Sequence, residues 1–280
     1  MISWISRLIK GIIIALGFIL PGVSGGVLAS ILGLYERLIG FLANIRKDFV
    51  PNVLFFLPVG IGGILGIALF SAPLEYLLEH YQVLVLWTFT GTIVGTFPTL
   101  WAESTQNRQR DLADWLWLVV TFVVSGLLLF FLSDLVGTIP ANFLGFVLAG
   151  SLIALGILVP GLSPSNLLLI MGLYTPMLTG FKKLDLLGVF LPIAIGGALA
   201  MVLFSKAMDY ALKTYHSRVY HFIMGLVLAS TLLIVLPNPR SAESISYAGL
   251  GFGTIASAAL LFLAGIALGA WMTKLEETYK

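Results

Sequence analysis

Residues 15–35 read ALGFILPGVSGGVLASILGLY, and residues 154–174 read ALGILVPGLSPSNLLLIMGLY. In each stretch an apolar run stops at Pro-Gly, passes through small polar residues, and resumes as a second apolar run. The two copies align at an offset of 139. Pro21, Gly22 and Ser24 meet Pro160, Gly161 and Ser163, while Gly33, Leu34 and Tyr35 meet Gly172, Leu173 and Tyr174. Hydrophobic segments interrupted by Gly and Pro at corresponding places of two halves point to the binding site of a membrane transporter.

The composition sets the solvent. Of 280 residues, 59% are hydrophobic and only 10% charged, with a mean hydropathy of +1.05. Soluble domains carry about 25% charge, and so little polarity in water would leave large apolar patches exposed. The apolar runs approach the length of a membrane-crossing helix, ~20 residues, and do not show the short alternating strands of outer-membrane barrels. The absence of cysteine removes disulfides, thiolate nucleophiles and Cys metal sites. A net charge of +2 gives no footprint for nucleic acid. Arg7 and Lys10 before an apolar run resemble the start of a secretory signal. That run ends at Pro21 and is the first copy of a repeat, so an uncleaved segment is expected.

Further apolar runs cover residues 53–71, 83–101, 115–133, 187–205, 219–236 and 249–272. Phe56, Leu57, Pro58, Gly62 and Gly63 meet Phe190, Leu191, Pro192, Gly196 and Gly197 at an offset of 134, so the linker after the broken pair is shorter by five in the second copy. The arm before Pro21 has about 10–14 apolar residues, short of the ~20 a full crossing needs. Each broken pair is therefore read as a re-entrant hairpin. With the N-terminus inside, Arg7, Lys10, Arg46, Lys47, Arg108, Arg110, Lys206, Lys213, Arg218, Lys274 and Lys280 are cytoplasmic. Lys182, Lys183 and Arg240 are outside, and Arg37 lies within the first hairpin. Eleven against three is a positive-inside bias.

The expected fold is thus an all-α polytopic membrane protein with six full transmembrane helices and two re-entrant helical hairpins. The first repeat spans residues 1–139, with its hairpin at 5–43, and the second spans 140–280, with its hairpin at 141–181. Three full spans per half make the repeat inverted. Both termini are then cytoplasmic and both hairpin tips approach the midplane.

At each tip the returning helix begins with unpaired backbone N–H groups. Irregular backbone at this depth must face protein or a water-filled cavity, and its N–H groups and helix dipole favour an anion, phosphate above all. Gly25 and Gly26 allow close approach to the backbone; Ser24, Ser163, Ser165 and Asn166 add donors. A single Pro-Gly-x-Ser reads better as an ordinary helix cap or tight crossing; two copies in opposed halves favour an anion site. Glu36 and Arg37 are adjacent opposite charges inside an apolar run, candidates for coupling or head-group contact. They also read as an interfacial pair about 16 Å from the tip, with Arg37 snorkelling. His80, His216 and His221 have no ligand spacing, so neither a metal nor a cofactor is expected. The tryptophans, Trp4, Trp87, Trp101, Trp115, Trp117 and Trp271, fall near run ends, as an interfacial belt does.

PGVSGGVLASILGLYERLIGFL and PGLSPSNLLLIMGLYTPML resemble the paired signatures of a bacterial membrane family linked to polyprenyl-phosphate translocation (the PopT type). The resemblance covers nearly the whole chain. It maps family motif positions onto Pro21, Gly22, Ser24, Gly25, Gly26, Tyr35 and Glu36, and onto Pro160, Gly161, Ser163 and Tyr174. Pro164 and Asn166 depart from a Ser-Gly-rich second tip. The resemblance implies a flippase rather than an enzyme, returning undecaprenyl phosphate across the bacterial cytoplasmic membrane for cell-wall synthesis. The partners expected are the lipid, the membrane and, as a candidate assembly, a homodimer. A secondary transporter of a small soluble anion is the alternative. A lipid phosphatase is a third reading, opposed by the lack of a nucleophile and base at the tips.

Overall fold

A computed structural model describes residues 4–19, 28–29, 32–34, 37–38, 41, 48–105, 109–131, 139–158, 164–239 and 244–279. All regular structure among them is helical. The helices are α1 (Trp4–Ile19), α2 (Phe49–Glu103), α3 (Leu112–Phe130), α4 (Phe143–Leu158), α5 (Pro164–Ile170), α6 (Tyr174–Lys182), α7 (Leu191–Val235) and α8 (Phe252–Tyr279); a π-helical turn, Leu186–Phe190, leads into α7. Starts are set locally. Asp111 and Asp114 each accept the other's backbone N–H in a capping box that opens α3. Asp185 accepts from the Gly188 N–H at the π turn.

Among the described residues, five helical stretches are long and apolar enough to cross a membrane: Phe49–Glu103, Leu112–Phe130, Leu186–Phe204, Lys213–Val235 and Phe252–Lys274. The first holds two of the six expected runs. As a straight rod its 55 residues would reach about 80 Å, far beyond a hydrocarbon core of ~30 Å. The helix is broken at Tyr81 (φ −134°, ψ 35°), and α7 is broken in the same way at Tyr215 (φ −126°, ψ 35°). The two tyrosines are related by the same offset, 134, as the glycine-rich runs.

The apolar residues point outward as well as inward. On α3, Leu112, Leu116, Val119, Val123 and Leu127 are exposed, while Asp114, Thr121 and Leu129 are buried. Water would not tolerate that surface; lipid does. The core centres on α6, where Tyr174, Met177 and Leu178 pack with Ile19, Leu86, Phe89 and Leu168.

The packing repeats with the sequence. A methyl group on Gly62 would overlap the Leu8 carbonyl of α1, and one on Gly196 would overlap the Val147 carbonyl of α4. Gly11 and Gly150 meet Val59 and Ile193 in the same relation. Leu8 meets Gly62 and Ile12 meets Gly66, so numbers rise together along both helices and α1 lies parallel to the first arm of α2. The matching contacts give α4 the same relation to the first arm of α7.

The second arms pair differently. Gly91 and Gly95 of α2 abut Phe262, Ile266 and Gly269 of α8, and Gly265 and Gly269 approach Thr88 and Thr92 in return. The corresponding Gly225 of α7 abuts Leu118, Thr121 and Phe122 of α3, and Ala229 faces Gly126. These pairs are also parallel, and Leu118 of α3 takes the place that Phe262 has on α8. The last helix of each sequence half therefore packs on the other half.

Candidate functional site

The two broken stretches are joined directly. Gly33 (φ 68°) and Gly172 (φ 70°) each end a short helical segment in the left-handed conformation that glycine adopts without strain. The Leu34 N–H bonds to the Ala29 carbonyl and the Leu173 N–H to the Leu168 carbonyl, the same i to i−5 closure at equivalent places of the two copies. This turn starts α6 with Tyr174, whose fully buried hydroxyl donates to the Ile19 carbonyl at the end of α1. The first residue of α6, in the second copy, thus bonds directly to α1, in the first.

A second link ties α2 to α6. Glu75, 6% exposed, accepts from the Thr179 hydroxyl and from the Lys182 ammonium at 2.7 Å. Its carboxylate holds the Lys182 ammonium above the usual lysine range. The pair fastens α6 to the first arm of α2 near the Tyr81 break.

The expected site residues divide. Ser24, Gly25, Gly26, Ser163 and Glu36 lie outside the described residues, as do Pro21, Pro160 and Tyr35. Ser165 is buried at the second residue of α5, 4% exposed, and Asn166 follows it in the same helix. Arg37 stands elsewhere, on the Phe55 ring, with its Nε–H donating to Asn52 Oδ1 at 3.1 Å. Among the described residues no group of three or more His, Asp or Glu side chains is placed to hold a metal ion. His221 is fully buried, its Nδ1 bonded to the Ser217 carbonyl at 2.7 Å and its Nε2 without a hydrogen-bond partner.

Sequence reasoning missed Asn52, Phe55, Glu75 and Thr179, and it counted Arg7 and Lys182 only as topology markers. No motif links them; contacts between positions as distant in the chain as Glu75 and its partners leave no local pattern. The one available signal was a carboxylate, Glu75, just beyond a glycine-rich apolar run.

Three comparisons complete the site's context. A family model described as undecaprenyl phosphate translocase-like matches residues 14–249. A polyprenyl-phosphate transporter of Vibrio cholerae serotype O1 is 33% identical over 99 residues, 35% of this chain and 30% of that protein. A polyprenyl-phosphate transporter of Staphylococcus aureus is 27% identical over 253 residues, 84% of this chain and 87% of that protein. No solved structure matches the chain.

Proposed function

We propose a function from one premise: this chain belongs to the undecaprenyl phosphate translocase-like family, whose model covers residues 14–249. The protein carries undecaprenyl phosphate across the bacterial cytoplasmic membrane, so that the lipid carrier of cell-wall synthesis is reused. Its phosphate docks on the backbone amides and hydroxyls of two re-entrant tips, Ser24, Gly25 and Gly26 on one and Ser163, Ser165 and Asn166 on the other. The halves 1–139 and 140–280 are inverted and expose those tips alternately to the two faces.

Several observations support this reading. The arm before Pro21 has about 10–14 apolar residues, short of the ~20 a full crossing needs, which favours arms that enter and stop short. Each of α1 and α4 lies parallel to the arm that follows its hairpin, which supports a chain that returns to the face it left. If α2 and α7 reverse at Tyr81 and Tyr215, the second arm of α2 runs opposite to its first, and α8 runs with that second arm. The first arm of α7 then runs with α8, opposite to the first arm of α2. The independent pairing of α3 with the second arm of α7 gives the same answer. Both pairings support inverted halves. The positive-inside bias supports cytoplasmic starts for α1 and α2.

A lipid phosphate has one anionic group to move while its tail remains in lipid, so a small polar site with a lateral opening suffices. The single observation that carries the proposal is the doubled Pro-Gly-x-Ser break in two stretches of sequence that align at an offset of 139. Reconstitution in liposomes with fluorescent polyprenyl phosphate tests it. Wild type moves the probe between leaflets, while Ser24→Leu and Ser163→Leu each slow it about tenfold or more through loss of a donor to a charged group. Undiminished movement in both variants removes the tips from the mechanism.

A further inference from the structure

At the end of the molecule where α1 and α2 begin, two cations share one aromatic ring. The Arg37 guanidinium carbon lies 3.5 Å from the Phe55 ring centroid and that of Arg7 lies 4.9 Å from it. The separation of the two charged carbons therefore cannot exceed the sum of those distances. Their polar partners are neutral: Arg37 donates to Asn52 Oδ1 and Arg7 Nη1 donates to the Phe55 carbonyl, each at 3.1 Å. The Arg7 Nε is buried and has no hydrogen-bond partner. Lys10, one turn along α1, adds a third positive charge; its ammonium donates to the Leu32 carbonyl before Gly33. Among the described residues no carboxylate is ion-paired with Arg7, Lys10 or Arg37.

This cluster does not belong to the repeat. At the offsets that relate the two copies, Arg7, Lys10 and Arg37 meet Phe146, Ala149 and Pro176, and Phe55 meets Val189. It is a feature of one face. An interfacial anchor needs only charge at the right depth, with the head group free in water. Here ring stacking and neutral acceptors fix the direction of both guanidiniums, and no described carboxylate compensates their charge. That is the arrangement in which arginine recognises phosphate, as a pre-oriented fork that forms two parallel charge-assisted bonds.

We propose that Arg7 and Arg37, stacked on Phe55, form a phosphomonoester-binding site at the face where α1 and α2 begin. As a station on a lipid's path it rests on the function proposed above; as a phosphate site it stands on the geometry alone. The head group pauses there on its way between the cytoplasmic leaflet and the tips.

The test uses the purified full-length protein in neutral detergent and measures equilibrium binding of farnesyl phosphate, inorganic phosphate and phosphatidylglycerol. Wild type binds farnesyl phosphate in preference to phosphatidylglycerol. Arg7→Gln and Arg37→Gln each weaken farnesyl phosphate about tenfold or more, and Lys183→Gln, remote from the cluster, changes nothing. If a glutamine variant is not monodisperse, Arg7→Lys and Arg37→Lys replace it; they keep the charge, lose the fork and give an intermediate loss. Unchanged farnesyl phosphate affinity in folded variants overturns the site, and the translocation reading survives if wild-type liposomes still move the lipid. Phosphatidylglycerol binding as tightly, and lost in parallel, also overturns it, because the arginines then serve as a general anchor. Loss of inorganic phosphate binding in the same variants, from a wild type that moves no polyprenyl phosphate, upholds the site and sinks the lipid reading.

Discussion

Single side chains tie distant segments together. The Tyr174 hydroxyl donates to the Ile19 carbonyl of α1 in a fully buried place. Tyr174→Phe keeps the ring and removes the donor, which should cost about 1–2 kcal/mol and lower the melting temperature by roughly 2–6 °C in detergent. Tyr247, in the connection between α7 and α8, receives a bond from Trp87 Nε1 at 3.0 Å and donates to the Val235 carbonyl at 2.7 Å. Burial pushes its hydroxyl above the usual tyrosine range. The folded state therefore holds this proton more tightly than the unfolded chain. The resulting stability is complete below pH ~10 and is lost as pH rises through the folded value. An absorbance titration should show a late-ionising component that Tyr247→Phe reduces by one tyrosine. At this scale the sequence was legible only where a motif existed. Tyr174 was marked by the recurring Gly-Leu-Tyr, whereas Pro21, Ser24 and their partners were singled out by repetition and lie outside the described residues. The Arg7–Phe55–Arg37 stack and the Glu75–Thr179–Lys182 link arise from chain segments brought together by folding, and no spacing rule announces them.

Between helices, the deciding feature is how closely backbones approach. Gly91 and Gly95 of α2 face Gly265 and Gly269 of α8, two small-xxx-small ridges in contact. A Cβ at Gly91 would overlap the Phe262 carbonyl, whereas one at Gly60 would have nothing within 4 Å. The two substitutions should move stability in opposite directions. Gly91→Ala should destabilise by about 1–3 kcal/mol, because backbones must separate. Gly60→Ala should stabilise by about 0.5–1 kcal/mol through helix propensity alone. Thermal unfolding in one detergent compares them directly. A drop for both, or a rise for both, would contradict this account of the interface. The glycine-rich run on α2 was legible as a close contact, since Gly62 and Gly66 stand one helical turn apart, but its partner was not. The breaks at Tyr81 and Tyr215 fall in the gaps between apolar runs that the sequence separates, 53–71 from 83–101 and 187–205 from 219–236, but the residue at which each helix breaks was not legible. Neither proline nor glycine marks them, and they become recognisable only because both fall at the offset that relates the glycine-rich runs.

For the molecule as a whole, two similar halves suggest two units that fold side by side, and the packing argues against that. The second arm of α2 finds its closest partner in α8, and the second arm of α7 finds its own in α3. Each half has lent its last helix to the other. Residues 1–139 alone would leave Gly91, Gly95 and the Thr121 face of α3 without their partners, and residues 140–280 alone would leave Gly225, Gly265 and Gly269 bare. In lipid, helix association depends on such close packing rather than on a hydrophobic drive between helices, so neither half can replace the missing surface with an indifferent neighbour. Neither fragment expressed singly should give a monodisperse species in detergent, whereas co-expressed fragments should assemble. An affinity tag on residues 140–280 should then retain residues 1–139 in equal amount, and Gly91→Leu in the first fragment should sharply reduce that retention without changing its synthesis. Two fragments that are each monodisperse alone and do not associate would mean that the halves are independent, and the exchange of α3 and α8 could not be what holds the molecule together.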